Sequence, residues 1–267
     1  MLKQVSLGRY YPGTSVLHRL DPRVKIILSF LYMVIIFLAQ SLIPMLLVAL
    51  TTVVLILLSR VPLRHIMNSL KPILFILIFA FVINLLTIQG DQLLKIGPVI
   101  ISEQGLYTAI RMALRLAFLI ISTTLFLTLT TTPILVSDAI EQLLKPLSRI
   151  GFPAHEMAMM MSIALRFVPT LLEETEKIMK AQSSRGADYD TGGLIAKARG
   201  LVSVLIPLFV SAFKRAEELA VAMEARCYRG GEGRTRLKIM RCERKDALFV
   251  VSMSSVFLTI LLTQYLL

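Results

Sequence analysis

The chain has 267 residues, 56% of them hydrophobic, and a formal charge of +12, with a mean hydropathy of +0.75 and a pI near 10.0. A soluble domain of this length would not carry so much apolar surface, so composition favours the membrane class. With no aromatic-basic RNA motif and no basic tail, the positive balance points to a cytoplasmic face held against anionic lipid rather than to nucleic acid.

In chain order, Arg23 and Lys25 precede a first apolar run, Ile26–Ala39. It begins too far in, and lacks a clean small-x-small site, to be a signal peptide, and is expected to be a retained span. Further spans are expected at Leu42–Leu58, at Pro72–Ile88, within Tyr107–Leu129 and at Ala247–Leu267, most at or below the roughly 20 residues that cross a hydrocarbon core. Lys3, Arg9, Arg19, Arg23 and Lys25 crowd the N-terminal stretch, and Arg60, Arg64, His65 and Lys71 the turn after the second span. The turn after the first span is uncharged. The positive-inside rule then puts the N-terminus in the cytoplasm. Gln89–Gln104 reads as an outer loop. Arg111 and Arg115, four apart on one helical face, lie in the outer half of the fourth span. Charge there is costly. Either the apolar part starts near Leu116 and the arginines snorkel, or they meet a partner.

Three more polar helices follow. "TTPILVSDAIEQLLKPLSRIG" has a Thr cap and Pro at the first helical position. The next runs from Pro153 to Gly186, with Glu173–Lys177 and Glu176–Lys180 spaced as i,i+4 pairs. The third spans Ala198–Cys227, with an apolar stripe of Leu201, Leu205, Leu208, Ala212, Ala216, Leu219 and Met223. Ala212, Ala216 and Ala220 would let a neighbouring helix come close. Pro169 and Pro207 should bend their helices. Met157, Met159, Met160 and Met161 form either core or a soft contact surface. The chain thus divides into a transmembrane region (1–131), a coupling-helix region (132–246) and a final span (247–267), an all-α polytopic membrane protein with about five spans and three cytoplasmic or membrane-surface helices.

The residues suggest no enzyme and no cofactor or metal site. "RGGEGRT" (Arg229–Thr235) trails a helix instead of opening one, so it is read as a turn, not a phosphate cradle. His18, His65 and His155 lack ligand spacing. Cys227 and Cys242 are not a CxxC pair and are expected to be reduced. A stand-alone transporter or channel, with Arg111 and Arg115 lining its path, is the alternative function.

Two helices end alike. Arg185 stands in "SSRG" and Arg226 in "EARC". A cation in the last turn is favoured by the helix dipole, which alone would explain either. Two such tips on one cytoplasmic region suit docking into two grooves, and arginine's planar fork suits directed bonds to carboxylates and carbonyls.

With these stretches the chain resembles the transmembrane T component of energy-coupling factor (ECF) transporters, the CbiQ-like family. The resemblance runs through "YYPGTSVLHRLDPRVKI", "LTLTTTP", "GFPAHEMAMMMSIALRFVPTLLEETEKIMKAQSSRGAD" and "LIPLFVSAFKRAEELAVAMEARCYRG". It implies that the family's two Ala-Arg-Gly signatures fall on Ser184-Arg185-Gly186 and Ala225-Arg226-Cys227, as sites that dock ATPases. Cysteine at 227 argues against a left-handed turn there, not against the arginine. The resemblance further implies a coupling subunit of an ABC importer for a vitamin or for cobalt or nickel. Its partners would be two ABC ATPase subunits, which bind the ATP, a substrate-binding S membrane protein, and the bilayer of the cell membrane.

Overall fold

The computed structural model describes residues 10–88, 91–96, 99–186, 193–230 and 242–266. They form two compact units, residues 10–139 with 242–266 and residues 140–230.

The first unit holds, among the described residues, the helices that are long and apolar enough to cross a membrane. A short helix α1 (Val16–Arg19) leads into α2 (Pro22–Leu38), capped by the Asp21 side chain, with Pro22 at the first position. α3 (Leu42–Ser59) and α4 (Leu63–Thr87) follow. A β-hairpin, β1 (Gln92–Ile96) and β2 (Val99–Ser102), occupies part of the expected outer loop. α5 (Glu103–Thr123) then widens into a π-helical stretch, Thr124–Leu129. α6 (Pro133–Leu144) starts at the expected proline, and α9 (Arg244–Leu266) returns to this unit. Among the described residues, four helices are long and apolar enough to cross a membrane: α3, α4, Glu103–Leu129 and α9. α2, the first expected span, has 17 residues, roughly 26 Å at 1.5 Å per residue. It packs against α5 and α9.

Residues in helical phase explain that placement. Leu28, Tyr32, Ile35 and Ile36 form one buried stripe of α2. Tyr32 stacks on Phe257 of α9 at 5.5 Å, donates to the Val48 carbonyl (2.9 Å) and lies 2.8 Å from the Thr52 hydroxyl. The polar tip of a buried tyrosine is thus partnered inside the bundle, as apolar surroundings require.

Pro72 does not open the third span. The helix begins nine residues earlier, at Leu63, and runs through it. A proline inside a spanning helix is tolerated where neighbouring groups take up the freed carbonyl.

Arg111 and Arg115 both reach to the end of α2. Arg115 Nη2 donates to the Ala39 carbonyl and Arg111 Nη1 to the Gln40 carbonyl, both at 2.8 Å. These carbonyls belong to the C-cap of α2 and the residue after it, where the helix dipole favours a cation. Arg115 is buried and its guanidinium lies 5.5 Å from the centre of the Phe37 ring. Arg111 sits over Tyr107.

Candidate functional site: two capped helix ends

In the second unit, a 3-10 turn (Lys145–Ile150) follows α6, and α7 (Ala154–Ser184) and α8 (Leu194–Ala225) supply the long helices. Both run through their prolines, Pro169 and Pro207. Near its start α7 buries Ala154 and Ala158, while Met157, Met160 and Met161 are about half exposed. Three of the four methionines therefore form surface while Met159 is half-buried, because alanines take the inward positions.

The stripe expected on α8 is met in part: Leu208, Ala212, Leu219 and Met223 are half-buried, whereas Leu201, Leu205 and Ala216 are exposed, as is Ala220. The inward face also takes in Val204, Ser211 and Arg215. Its two polar members meet a carboxylate on α7. Glu174 accepts from the Ser211 hydroxyl and from Arg215, through Nε (3.1 Å) and Nη2 (2.8 Å). The expected Glu173–Lys177 and Glu176–Lys180 pairs are not ion-paired among the described residues. Sequence reasoning missed this clasp. Its signal was a serine and an arginine four apart on α8, the spacing that puts two donors on one face.

The Ser211 hydroxyl and the Arg215 guanidinium hold the Glu174 carboxyl below the ordinary carboxylate range. A depressed carboxylate contributes stability that is fully present above the unfolded value, 4.5, and lost as pH falls through the lower folded value. We expect the α7–α8 pairing to hold unchanged from pH 7 to about 5 and to weaken only in stronger acid. Glu174→Gln should abolish that acid limb, as read from hydrogen exchange of residues 170–180 across a pH series.

The ends of α7 and α8 share one geometry. Arg185 caps α7 at φ −92°, ψ 8°, and Arg226 caps α8 at φ −91°, ψ 13°. The following residue is left-handed in both, Gly186 at φ +86° and Cys227 at φ +55°. Gly186 N–H donates to the Ser183 carbonyl (3.0 Å), and Cys227 N–H to that of Glu224 (2.8 Å). At the second end Tyr228 N–H also donates to the Met223 carbonyl at 3.0 Å, completing a Schellman cap. The expectation that cysteine argues against a left-handed turn at 227 is thus corrected: residue 227 is left-handed, held by two backbone bonds. For a residue with a Cβ that conformation costs about 1–2 kcal/mol. Cys227→Gly should therefore stabilise this end by about 1 kcal/mol, raising the denaturation midpoint in detergent, and Gly186→Ala should lower it, although a methyl there would meet nothing within 4 Å.

Ser184, Arg185, Gly186, Ala225, Arg226 and Cys227 are all exposed. Among the described residues neither Arg185 nor Arg226 has a side-chain partner. The two arms also match in length. Arg185 lies eleven residues beyond Glu174, and Arg226 eleven beyond Arg215. Each guanidinium is therefore carried about 16 Å from the clasp by uninterrupted helix.

These features define an all-α polytopic membrane protein that displays two cationic helix ends of one design. The family described as "CbiQ: Cobalt transport protein" matches residues 13–237. An energy-coupling factor transporter transmembrane protein EcfT of Ruminiclostridium cellulolyticum is 53% identical over 266 residues, 99% of each chain. Similarly named proteins of Bacillus subtilis and Heliobacterium modesticaldum are 50% identical (95% and 96% of the two chains) and 48% identical (98% of each). The chain belongs to this CbiQ-like family, the transmembrane T components of ECF transporters.

Proposed function

We propose that the chain is the non-catalytic coupling subunit of an ECF-type ABC importer in the cell membrane, with residues 140–230 in the cytoplasm. Arg185 and Arg226 dock into grooves on two ATP-binding cassette subunits, which bind and hydrolyse the ATP. An S membrane protein binds the solute, a vitamin or a cobalt or nickel ion. Closure of the ATPases moves the capped ends, and the helices carry that motion to the S protein.

The observation that carries this reading is the pair of equivalent caps. Two exposed guanidiniums, unpartnered among the described residues, stand at matched distances from one clasp. A single helix end with arginine is ordinary, but two of equal reach suit a partner that offers the same groove twice. Exposed apolar side chains also support membrane partners: Met160 and Met161 on α7, Phe209 and Phe213 on α8. Affinity capture of the tagged chain from its native membranes tests the proposal. Two nucleotide-binding subunits and at least one further integral membrane protein should accompany it. Recovery of the chain alone would overturn the reading.

A further inference from the structure

Lys25 is 1% exposed, yet its ammonium is fully bonded. Its Nζ donates to the Thr130 carbonyl (2.9 Å), the Thr131 hydroxyl (3.1 Å) and the His18 carbonyl (3.3 Å). A lysine has three donors, and all three are used. Two of the residues it holds, Thr130 and Thr131, form the joint between α5 and α6. There the π-helical stretch ends, and the hydroxyls of Thr130 and Thr131 both turn back to the Phe126 carbonyl, at 3.0 and 3.1 Å. The Leu129 carbonyl is taken from outside the helix by Tyr11 N–H at 3.0 Å. His18 is itself fixed, with Nε2 2.8 Å from the Tyr11 carbonyl oxygen and Nδ1 2.6 Å from Ser15 Oγ. Asp21 and Asp246 supply the negative field around the ammonium. Asp246 Oδ1 in turn accepts from Asp21 N–H at 3.1 Å.

A buried lysine is an expensive way to fill space, since an apolar side chain would need no compensating acceptors. What it adds is a directed grip on carbonyls that a helix end leaves open. The place gripped matters too. A π-helical interruption is a weak point in a helix and recurs at functional positions. Beyond it, α6 runs on to residue 140, where the second unit begins.

We propose that Lys25 is a positioning residue for energy coupling. It latches the π-helical joint, so that motion of the second unit passes into α5 and α2 instead of being absorbed by bending at Thr130–Thr131. This rests on the coupling role proposed above.

The test uses the whole complex captured through the tagged chain. Peptide-resolved hydrogen exchange is compared in Mg-ADP and in Mg-ATP with vanadate, for wild type, K25M, K25R and T131V. Wild type should show a nucleotide-dependent change in residues 116–130. K25M should retain its ATPases and the nucleotide-dependent change in residues 170–186. Its exchange across 124–131 should rise about tenfold through local opening, and its change in 116–130 should vanish. K25R, which keeps a cation, should recover part of that change, and T131V should lose part of it. The latch is overturned if K25M keeps the wild-type response in 116–130, or if wild type has none. Equal acceleration of exchange in α3 and α9 would show a general packing role and overturn it as well. Should K25M fail to insert, T131V decides by the same criteria. If K25M behaves as wild type while the complex still holds its ATPases, only the latch fails. If wild type captures no ATPases, the coupling reading itself has failed.

Discussion

Exchanging Arg185 and Arg226 together for glutamate should abolish recovery of the ATPase subunits while leaving membrane insertion intact. Both side chains are exposed and without partners among the described residues, so removing them breaks no side-chain contact and costs only the helix-end cation, about 0.3–1 kcal/mol at each end. Their backbone caps are made by N–H groups and carbonyls, which survive any side-chain change. In a docked groove each guanidinium would be desolvated against carboxylates or carbonyls. Truncating one partner of such a buried contact costs roughly 2–5 kcal/mol, and reversing the charge adds repulsion. Single R185E and R226E variants should each weaken capture of the ATPases, and the double variant should reduce it to background. Arg→Lys at either position should restore it only in part, because an ammonium lacks the planar fork. Circular dichroism in detergent should stay at the wild-type level throughout. Full recovery of the ATPases with the double variant would refute docking through these ends.

Arg115→Met should be clearly more damaging than Arg111→Met. The guanidinium is buried, closes the Ala39 carbonyl at the end of α2 and rests against Phe37. Methionine fills similar space but leaves that carbonyl open away from water. A buried acceptor stripped of a charge-assisted donor costs about 1–3 kcal/mol, and loss of the cation at the helix end adds up to about 1 kcal/mol. Arg111→Met removes an equally short bond, but one that water replaces, because the Arg111–Gln40 contact is exposed. It should cost less than about 1 kcal/mol. Thermal unfolding in detergent should therefore rank wild type, R111M and R115M in falling order. Equal midpoints for the two variants would contradict the assigned roles. The same experiment bears on the alternative of a solute path, since arginines engaged with their own backbone do not offer themselves to a passing ion.

The two helix ends that carry the arginines are legible in the sequence. Both arginines were visible because helix ends leave marks in sequence: a glycine after Arg185, paired glycines after Arg226, and long periodic stretches before each. Pro133 and Pro153 placed the starts of α6 and α7 to within a residue. The left-handed turn at Cys227 was not legible, because local preference favours glycine there while the bonds from Cys227 and Tyr228 override it. Lys25 was read only as a charge flanking a span. Its phase with Leu28, Ser29, Tyr32 and Ile36 would have shown that it points inward, but not what it meets, since Thr130 and Thr131 lie more than a hundred residues away.

The sequence by itself determined the membrane class, most of the helix ends, and the two cationic tips. Each of these follows from short-range chemistry: hydropathy over a window, the lost donor of proline, the freedom of glycine, the dipole of a helix end. Only the tertiary structure decided which polar groups of α8 turn inward, where Arg111 and Arg115 find their acceptors, and what Lys25 holds. Those outcomes depend on pairing polar groups far apart in the chain, as Glu174 does with Arg215. In a bundle where almost every surface is apolar, hydropathy cannot discriminate between faces. The few groups that must be hydrogen-bonded set the rotation of the helices.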